Sequence, residues 1–440
     1  MNKITTQETR KMIHHLSTQG LSCSLISEQL KLGASVVKKW RWRTSLGDYG
    51  SPMGRPALGP LSSFPLKLAS TLEKLRKAHP GWGPAHLLLE LKKEGRFKAF
   101  PSSASVGRHL SVLGLCRAYK RHGGVQENPM PKTRFPHECW QMDAEGNKEI
   151  DGIGDVSMIN VKDCHSRGYL MNYPVVLKGP HNHATTQDYQ ITLRACFVQF
   201  GKPLHLQVDH ESIFIDNLSK SPFPTRLHLW LIGLGIQLKY SRLRRPTDQG
   251  IVERSHQTTR NQALKGQHFK NWEELNHYLA QRREVLNHQA PCASLDGKAP
   301  FEAYPAANFP LRPFAIDQEG QEVDLQRIYA YLAKLSWTRS VSKSKTVSLG
   351  NKTYYIKEAT PKTDLRISFD LEQKMLCFKY EKEQWEDFLP VKQLNQQWLS
   401  GNMRQQKPWP SLQLKIPFCY NFQQQNYWLR LYEQKPVTTL

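Results

Sequence analysis

Cysteine is scarce in this 440-residue chain: eight residues lie scattered, with no CxxC pair. That argues against both a zinc ribbon and a disulfide framework and fits a reducing cytosol. Long apolar runs are missing too. The longest, Leu227 to Leu238, contains His228 and is far too short to span a bilayer, so no membrane partner is expected. The opening stretch MNKITTQETRKMIHH has no apolar core and shows no secretory signal. Acidic residues are in short supply, 38 Asp and Glu against 61 Lys and Arg, for a formal charge of +23. An excess of that size selects polyanionic partners, nucleic acid foremost. With 39% hydrophobic and 10% aromatic residues, the chain is not a disordered one, and its length suits two to four domains.

The positive charge is unevenly spread. Residues 1–125 hold 21 Lys and Arg and only 6 Asp and Glu, an excess of 15 out of the whole 23. Within them, Met12, Ile13, Leu16, Ile26 and Leu30 recur at helical spacing, and Gly20 and Gly33 interrupt the pattern. This predicts a helix-turn-helix DNA-binding unit over 1–45. Its last helix, ASVVKKWRWRTS, carries Lys38, Lys39, Arg41 and Arg43, cations suited to phosphates and base edges in a major groove. Residues 46–65 are rich in Gly and Pro and read as a linker, in which Gly54-Arg55-Pro56 could lay Arg55 into a minor groove. A second helical DNA-binding unit is expected over 66–121, with Ser102 or Ser103 capping its third helix. Another linker follows at 122–136.

From 137 to 307 the pattern changes. VSMINVKDC, YLMNYPVV and LHLQVD are strand-like, and 182–200 and 224–233 are helical, which predicts an α/β domain with a mixed sheet. Strand character returns over 330–395, where a small β-barrel is expected, with a hairpin turning near Glu372-Gln373. Residues 396–440 stay unassigned.

A basic protein that aims acids at DNA has a reason to do so, and a divalent metal is the usual one. Three acids, far apart in sequence, have suitable settings. Asp143 lies in ECWQMDAEG, and Asp209 ends the apolar run PLHLQVD. Glu253 begins the helix after Pro246 and Gly250, sharing a face with His256, Gln257 and Arg260. Glu145, Asp151 and Asp155 fall among glycines and read as solvated turn residues. Asp163 reads as bonding backbone, and Asp248 as a helix cap. A zinc site near the N-terminus is not expected, since His14 and His15 have only Cys23 nearby.

The blocks Trp140-Gln141-Met142-Asp143, Asp209-His210-Glu211-Ser212-Ile213-Phe214 and Pro246 to Arg254 resemble the D, D and E blocks of the retroviral-integrase superfamily, and bacterial insertion-sequence transposases above all. VKDCHSRGYL (161–170) resembles the second-strand segment of that core, residues 271–304 the segment that closes it, and HPGWGPAHLLLEL (79–91) a second helix-turn-helix. The resemblance implies a ribonuclease H-like catalytic core over 137–307, with Asp143, Asp209 and Glu253 as catalytic, metal-holding residues. It implies Mg²⁺ as cofactor, Mn²⁺ as substitute, and DNA cutting and joining. Arg254, His256 and Arg260 become candidates for DNA backbone contact. Expected partners are DNA ends, target DNA, further copies of the chain assembled on DNA, and an ATPase or targeting protein, at a cytoplasmic, nucleoid-associated location. The runner-up is a decayed or domesticated DNA-binding copy. Two features depart from the family pattern. Asp209 and Glu253 are separated by 43 residues, longer than usual; Asp216 would leave 36, but Asp209 directly follows the strand LHLQV. His210-Glu211 also stands where Asn-Gly is common.

Overall fold

Three short helices open the chain: α1 (Gln7–Thr18), α2 (Cys23–Leu30) and α3 (Ala34–Ser45). Thr6 and Ser22 cap α1 and α2 through their hydroxyls, and Lys31 ends α2 in the left-handed region at φ 50°. Ile13, Leu16, Ile26, Val37 and Trp40 form their own core. Arg10 closes it, its guanidinium 4.0 Å from the Trp40 ring centre. The structure, a computed structural model, describes residues 5–50, 59–116, 132–177, 183–216, 221–242, 249–380 and 385–401. Arg55, Asp248, parts of both linkers and the tail beyond 401 lie outside these residues. The described chain forms two compact units, Met1–Ser63 and Phe64–Leu440.

The second unit begins with α4 (Leu66–Ala78), α5 (Pro84–Lys93) and α6 (Ser103–Val112). Pro84 sits in the first turn of α5, where its missing N–H costs nothing, and Ser102 caps α6. A five-stranded sheet follows, in the order β3-β2-β1-β4-β5. Its strands are β1 (Cys139–Ile150), β2 (Gly154–Asp163), β3 (Tyr169–Val176), β4 (His205–Val208) and β5 (Gln237–Tyr240). The first three pair antiparallel, whereas β4 and β5 run parallel to β1.

Both faces of β2 are covered, which explains its nearly unbroken burial. Ile159 and Val161 join a large core with α7 (Thr186–Phe200) and α8 (Arg226–Gly233). Val156 and Met158 instead meet Leu275 and Leu279 of α10 (Trp272–His288). Between α8 and α10 lies α9 (Gly250–Thr259), which continues directly into a π-helical turn, Arg260–Leu264.

The α4–α6 unit docks on that turn. Trp82 stacks on His79 at 3.8 Å, lies under the Arg282 guanidinium and donates its indole N–H to the Gln262 carbonyl at 3.0 Å. A Cβ on Gly81 would sit 1.6 Å from the Asn261 carbonyl oxygen. Gly81→Ala should therefore pry this loop off the end of α9, at a cost of about 1–3 kcal/mol. Hydrogen exchange would read it as lost protection over 260–265, and unchanged protection would refute the docking.

The C-terminal strands are β6 (Ser336–Ser340), β7 (Thr346–Leu349), β8 (Lys352–Tyr355), β9 (Asp364–Asp370), β10 (Met375–Tyr380) and β11 (Trp385–Pro390). Their ladders form a four-stranded antiparallel sheet, β11-β10-β9-β6, and a separate β7-β8 hairpin. The expected turn between β9 and β10 is present. Ladders closing these strands into one barrel are absent among the described residues, because β7 turns back at Gly350-Asn351 to pair with β8 alone. This region shares its core with α7 and α8. Twelve of the fifteen residues of α7 are buried, including Arg194, which makes two bonds to Glu319 at 2.5 and 2.6 Å. Glu319 also accepts the Trp230 indole N–H at 2.8 Å, and Arg194 donates to the Ser400 carbonyl.

Candidate active site

Three elements present the acids singled out in the sequence. Asp143 lies on β1, Asp209 is the first residue past β4, and Glu253 lies in the first turn of α9. The β1–β4 register pairs Trp140 with Leu206 and Gln141 with Gln207, and the same offset sets Asp143 level with Asp209. Gln141 binds the three elements together. Its amide donates to Gln207 Oε1 at 3.1 Å, and its Oε1 accepts the Val252 N–H at 3.1 Å. That N–H is one of the donors a helix start leaves without an intrahelical partner.

The carboxylates repel one another. Burial pushes the Asp209 and Glu253 carboxyls above their ordinary range, and the charge of Asp143 pushes both further. Glu211 behaves likewise: burial raises it, the Tyr189 hydroxyl bond pulls it down, and the charges of Asp209 and Asp143 raise it. Tyr189 donates to Glu211 Oε2 at 2.7 Å, and the Glu211 N–H meets Asp209 Oδ1 at 2.9 Å. Among the described residues, no three His, Cys, Asp or Glu side chains converge closely enough to enclose a metal ion. The donor chemistry still suits a hard cation: all three acids are oxygen ligands, and the charge of Asp143 makes Asp209 and Glu253 harder to ionise until positive charge is supplied.

His256 lies elsewhere than the sequence suggested. It was expected on the DNA backbone, yet it is buried, and its Nε2 meets Asp143 Oδ2 at 2.9 Å. Helical spacing put it on the Glu253 face, but the position three residues past Glu253 turns towards the sheet. Glu145 also departs from its solvated reading. It sits on β1, which runs through Gly146 to Ile150 with an irregularity between Glu145 and Lys148. There it pairs with Arg260 at 2.8 Å. Asp151 does lie in an exposed turn, and Asp163 does bond backbone, accepting the His137 and Ser166 N–H groups.

Comparison with known proteins adds one match: residues 234–300 fit the family described as an integrase core domain. This segment of the chain is similar to part of an integrase core. The match spans β5, α9 and α10 and so includes Glu253. Solved structures share a weaker likeness. The HTLV-2 integrase catalytic core domain in complex with magnesium is 15% identical, with 39% of this chain and 99% of that one covered at a TM-score of 0.29. For the BIV integrase catalytic core the values are 18%, 38%, 94% and 0.26. For the simian T-cell lymphotropic virus intasome in complex with PP2A regulatory subunit B56 gamma they are 13%, 73%, 96% and 0.30.

The expected DNA-facing cations vary in setting. Lys38 and Lys39 are exposed on α3, beside an exposed Trp42. Arg41 is half-buried and reaches the Leu21 carbonyl, and Arg43 pairs with Asp48 at 3.3 Å. Arg254 and Arg260 are exposed on α9 and the turn after it. An open groove of about 890 Å³ runs beside the acids, with Tyr189, Glu211, Arg226, Lys352 and Trp398 in its walls. Tyr189 and Asn160 were not picked out from sequence, Gln141 and Glu211 entered only as members of the resembling blocks, and Glu145 only as a solvated turn residue. Glu145 had a usable signal, since two residues past Asp143 on a strand is the same face. Asn160 had none, because its partner lies 96 positions away.

Proposed function

We propose that the chain is a DNA transposase, in which Asp143, Asp209 and Glu253 form the catalytic site of the integrase core. One observation supports this reading: the charge of Asp143 on β1 raises the carboxyl pKa of both Asp209 at the end of β4 and Glu253 on α9, so the three acids share one electrostatic site. The same three residues would hold two Mg²⁺ ions, or Mn²⁺ in their place. Such ions, when bound, supply Lewis acidity to the attacking and leaving oxygens of an in-line phosphoryl displacement.

The residues then have distinct roles. The acids orient the scissile phosphate, and Gln141 keeps their three elements in register. In the cutting step, a water oxygen bonds to phosphorus and the 3′ oxygen leaves with a proton. In the joining step, that 3′ oxygen bonds to a phosphorus of target DNA, and the target's own 3′ oxygen leaves. Neither step requires a Ser or Tyr nucleophile. Arg254 and Arg260 steer the DNA backbone, and Lys38, Lys39, Arg41, Arg43 and Arg55 serve the reading of element ends. Two ends must be brought together, so a homo-oligomer assembled on DNA is expected, with an ATPase or targeting protein as further partner. No described helix is long and apolar enough to cross a membrane.

Incubating the protein with a labelled end fragment, a plasmid and Mg²⁺ tests the reading. Joined products are expected, and omitting the cation should abolish them. Cleavage without joining would make the protein a nuclease. Binding with neither would favour the decayed DNA-binding reading, against which the retention of all three acids weighs.

A further inference from the structure

We propose that His256 is a positioning residue of the cation site, holding Asp143 in place through a buried relay that fixes the proton on Nε2. The proposal rests on the reading of Asp143 as a ligand. The relay can be followed donor by donor. Thr259 Oγ1 accepts from the Asn172 amide at 3.1 Å, and the second N–H of that amide goes to Asn160 Oδ1. Asn160 is thereby oriented with its own amide nitrogen towards His256 Nδ1, 2.5 Å away. An amide nitrogen can only donate, so Nδ1 must accept, and the ring proton is left on Nε2. Nε2 points at Asp143 Oδ2, 2.9 Å away.

All four side chains of the relay are buried, with Asn160 fully so. A network of this kind is costly unless every member is satisfied, and here each amide has a definite role. The consequence lies at Asp143. One lone pair of Oδ2 is taken by His256, which fixes the carboxylate plane while leaving its remaining lone pairs for a cation. Ligands held by such outer partners typically lose about 10–100-fold in metal affinity when the partner is removed.

The test uses the full chain and Mn²⁺ titrated calorimetrically, with no DNA present. His256→Ala should weaken Mn²⁺ binding by about 10–100-fold. His256→Gln, which keeps an N–H donor near the same place, should recover most of that loss. Affinity within about twofold of wild type in His256→Ala, or no recovery with Gln, would overturn the proposal. Asp143→Asn distinguishes the two levels. If it weakens binding while His256→Ala does not, the positioning role alone fails. If it binds Mn²⁺ as well as wild type, Asp143 is no ligand and both fall. Nitrogen-15 spectra of histidine-labelled wild type give a readout that needs no variant. A protonated Nε2 and bare Nδ1 are expected for His256, and the opposite tautomer would overturn the relay.

Discussion

Asp143→Asn, Asp209→Asn and Glu253→Gln should each reduce strand transfer by about a thousandfold or more, a loss of about 4 kcal/mol in transition-state stabilisation. Asp209→Asn and Glu253→Gln should also make the metal-free protein harder to unfold. The two effects share a cause. Asp209, Glu211 and Glu253 have carboxyls raised above the ordinary range, by burial and by neighbouring acids. The folded state therefore binds protons more tightly than the unfolded one. Its stability is fully present below the ordinary carboxylate range and falls as pH rises through the raised values. In EDTA at neutral pH, neutralising Asp209 removes part of that repulsion, and the melting temperature should rise. A divalent cation does the same for wild type, by about 2.7 kcal/mol at a hundredfold excess over its dissociation constant. Melting scans with EDTA and with Mn²⁺ check both arms. Asp209→Asn that melts lower than wild type in EDTA, or gains as much from Mn²⁺, would contradict the shared cause.

Glu319→Ala should be the most damaging substitution away from the acids, costing about 3–5 kcal/mol. Glu319 accepts both nitrogens of the Arg194 fork and the Trp230 indole N–H, and both ionic side chains are 3% exposed. Removing the carboxylate strands a guanidinium inside the α7 core. Replacing both partners by apolar residues of similar size, Arg194→Met with Glu319→Leu, leaves no orphaned charge and should recover most of the loss. Chemical denaturation of the three proteins measures this. A Glu319→Ala cost under about 1 kcal/mol, or a double variant no better than the single one, would show that the pair is not what pins this region to α7.

Much of the layer that carries the three acids could be read in the sequence, because its signals are local. VSMINVKDC, YLMNYPVV and LHLQVD became β2, β3 and β4, and Gly20 and Gly33 separate the first three helices as expected. The acids were legible because each sits beside a turn or apolar strand that fixes its place. What escaped depends on partners distant in sequence. Glu145 looked like part of a glycine-rich turn, and its half-buried place is explained by partners such as Arg260 and His256, more than a hundred positions away. Helical period placed His256 with Glu253 and Arg260, but could not say that Asn160 draws that position inward. Helix α7 carries Asp188, Gln190, Thr192 and Arg194, yet all four are buried, with Gln190 bonding the Leu399 carbonyl and Arg194 bonding Glu319 and the Ser400 carbonyl. A helix covered on all sides has no apolar stripe by which to recognise it.

That covering of α7 bears on how the gene can decay. A stop codon or frameshift ahead of Glu319 would yield a chain whose Arg194 and Trp230 have lost their acceptor and whose central helix is stripped of its lid. Such a product should aggregate and be degraded, not persist as a soluble competitor for DNA ends. The three helices of Met1–Ser63 have a core of their own, built on Ile13, Leu16, Ile26, Val37 and Trp40. A fragment that keeps these helices keeps that core whole, so an amino-terminal product of a damaged copy is expected to persist.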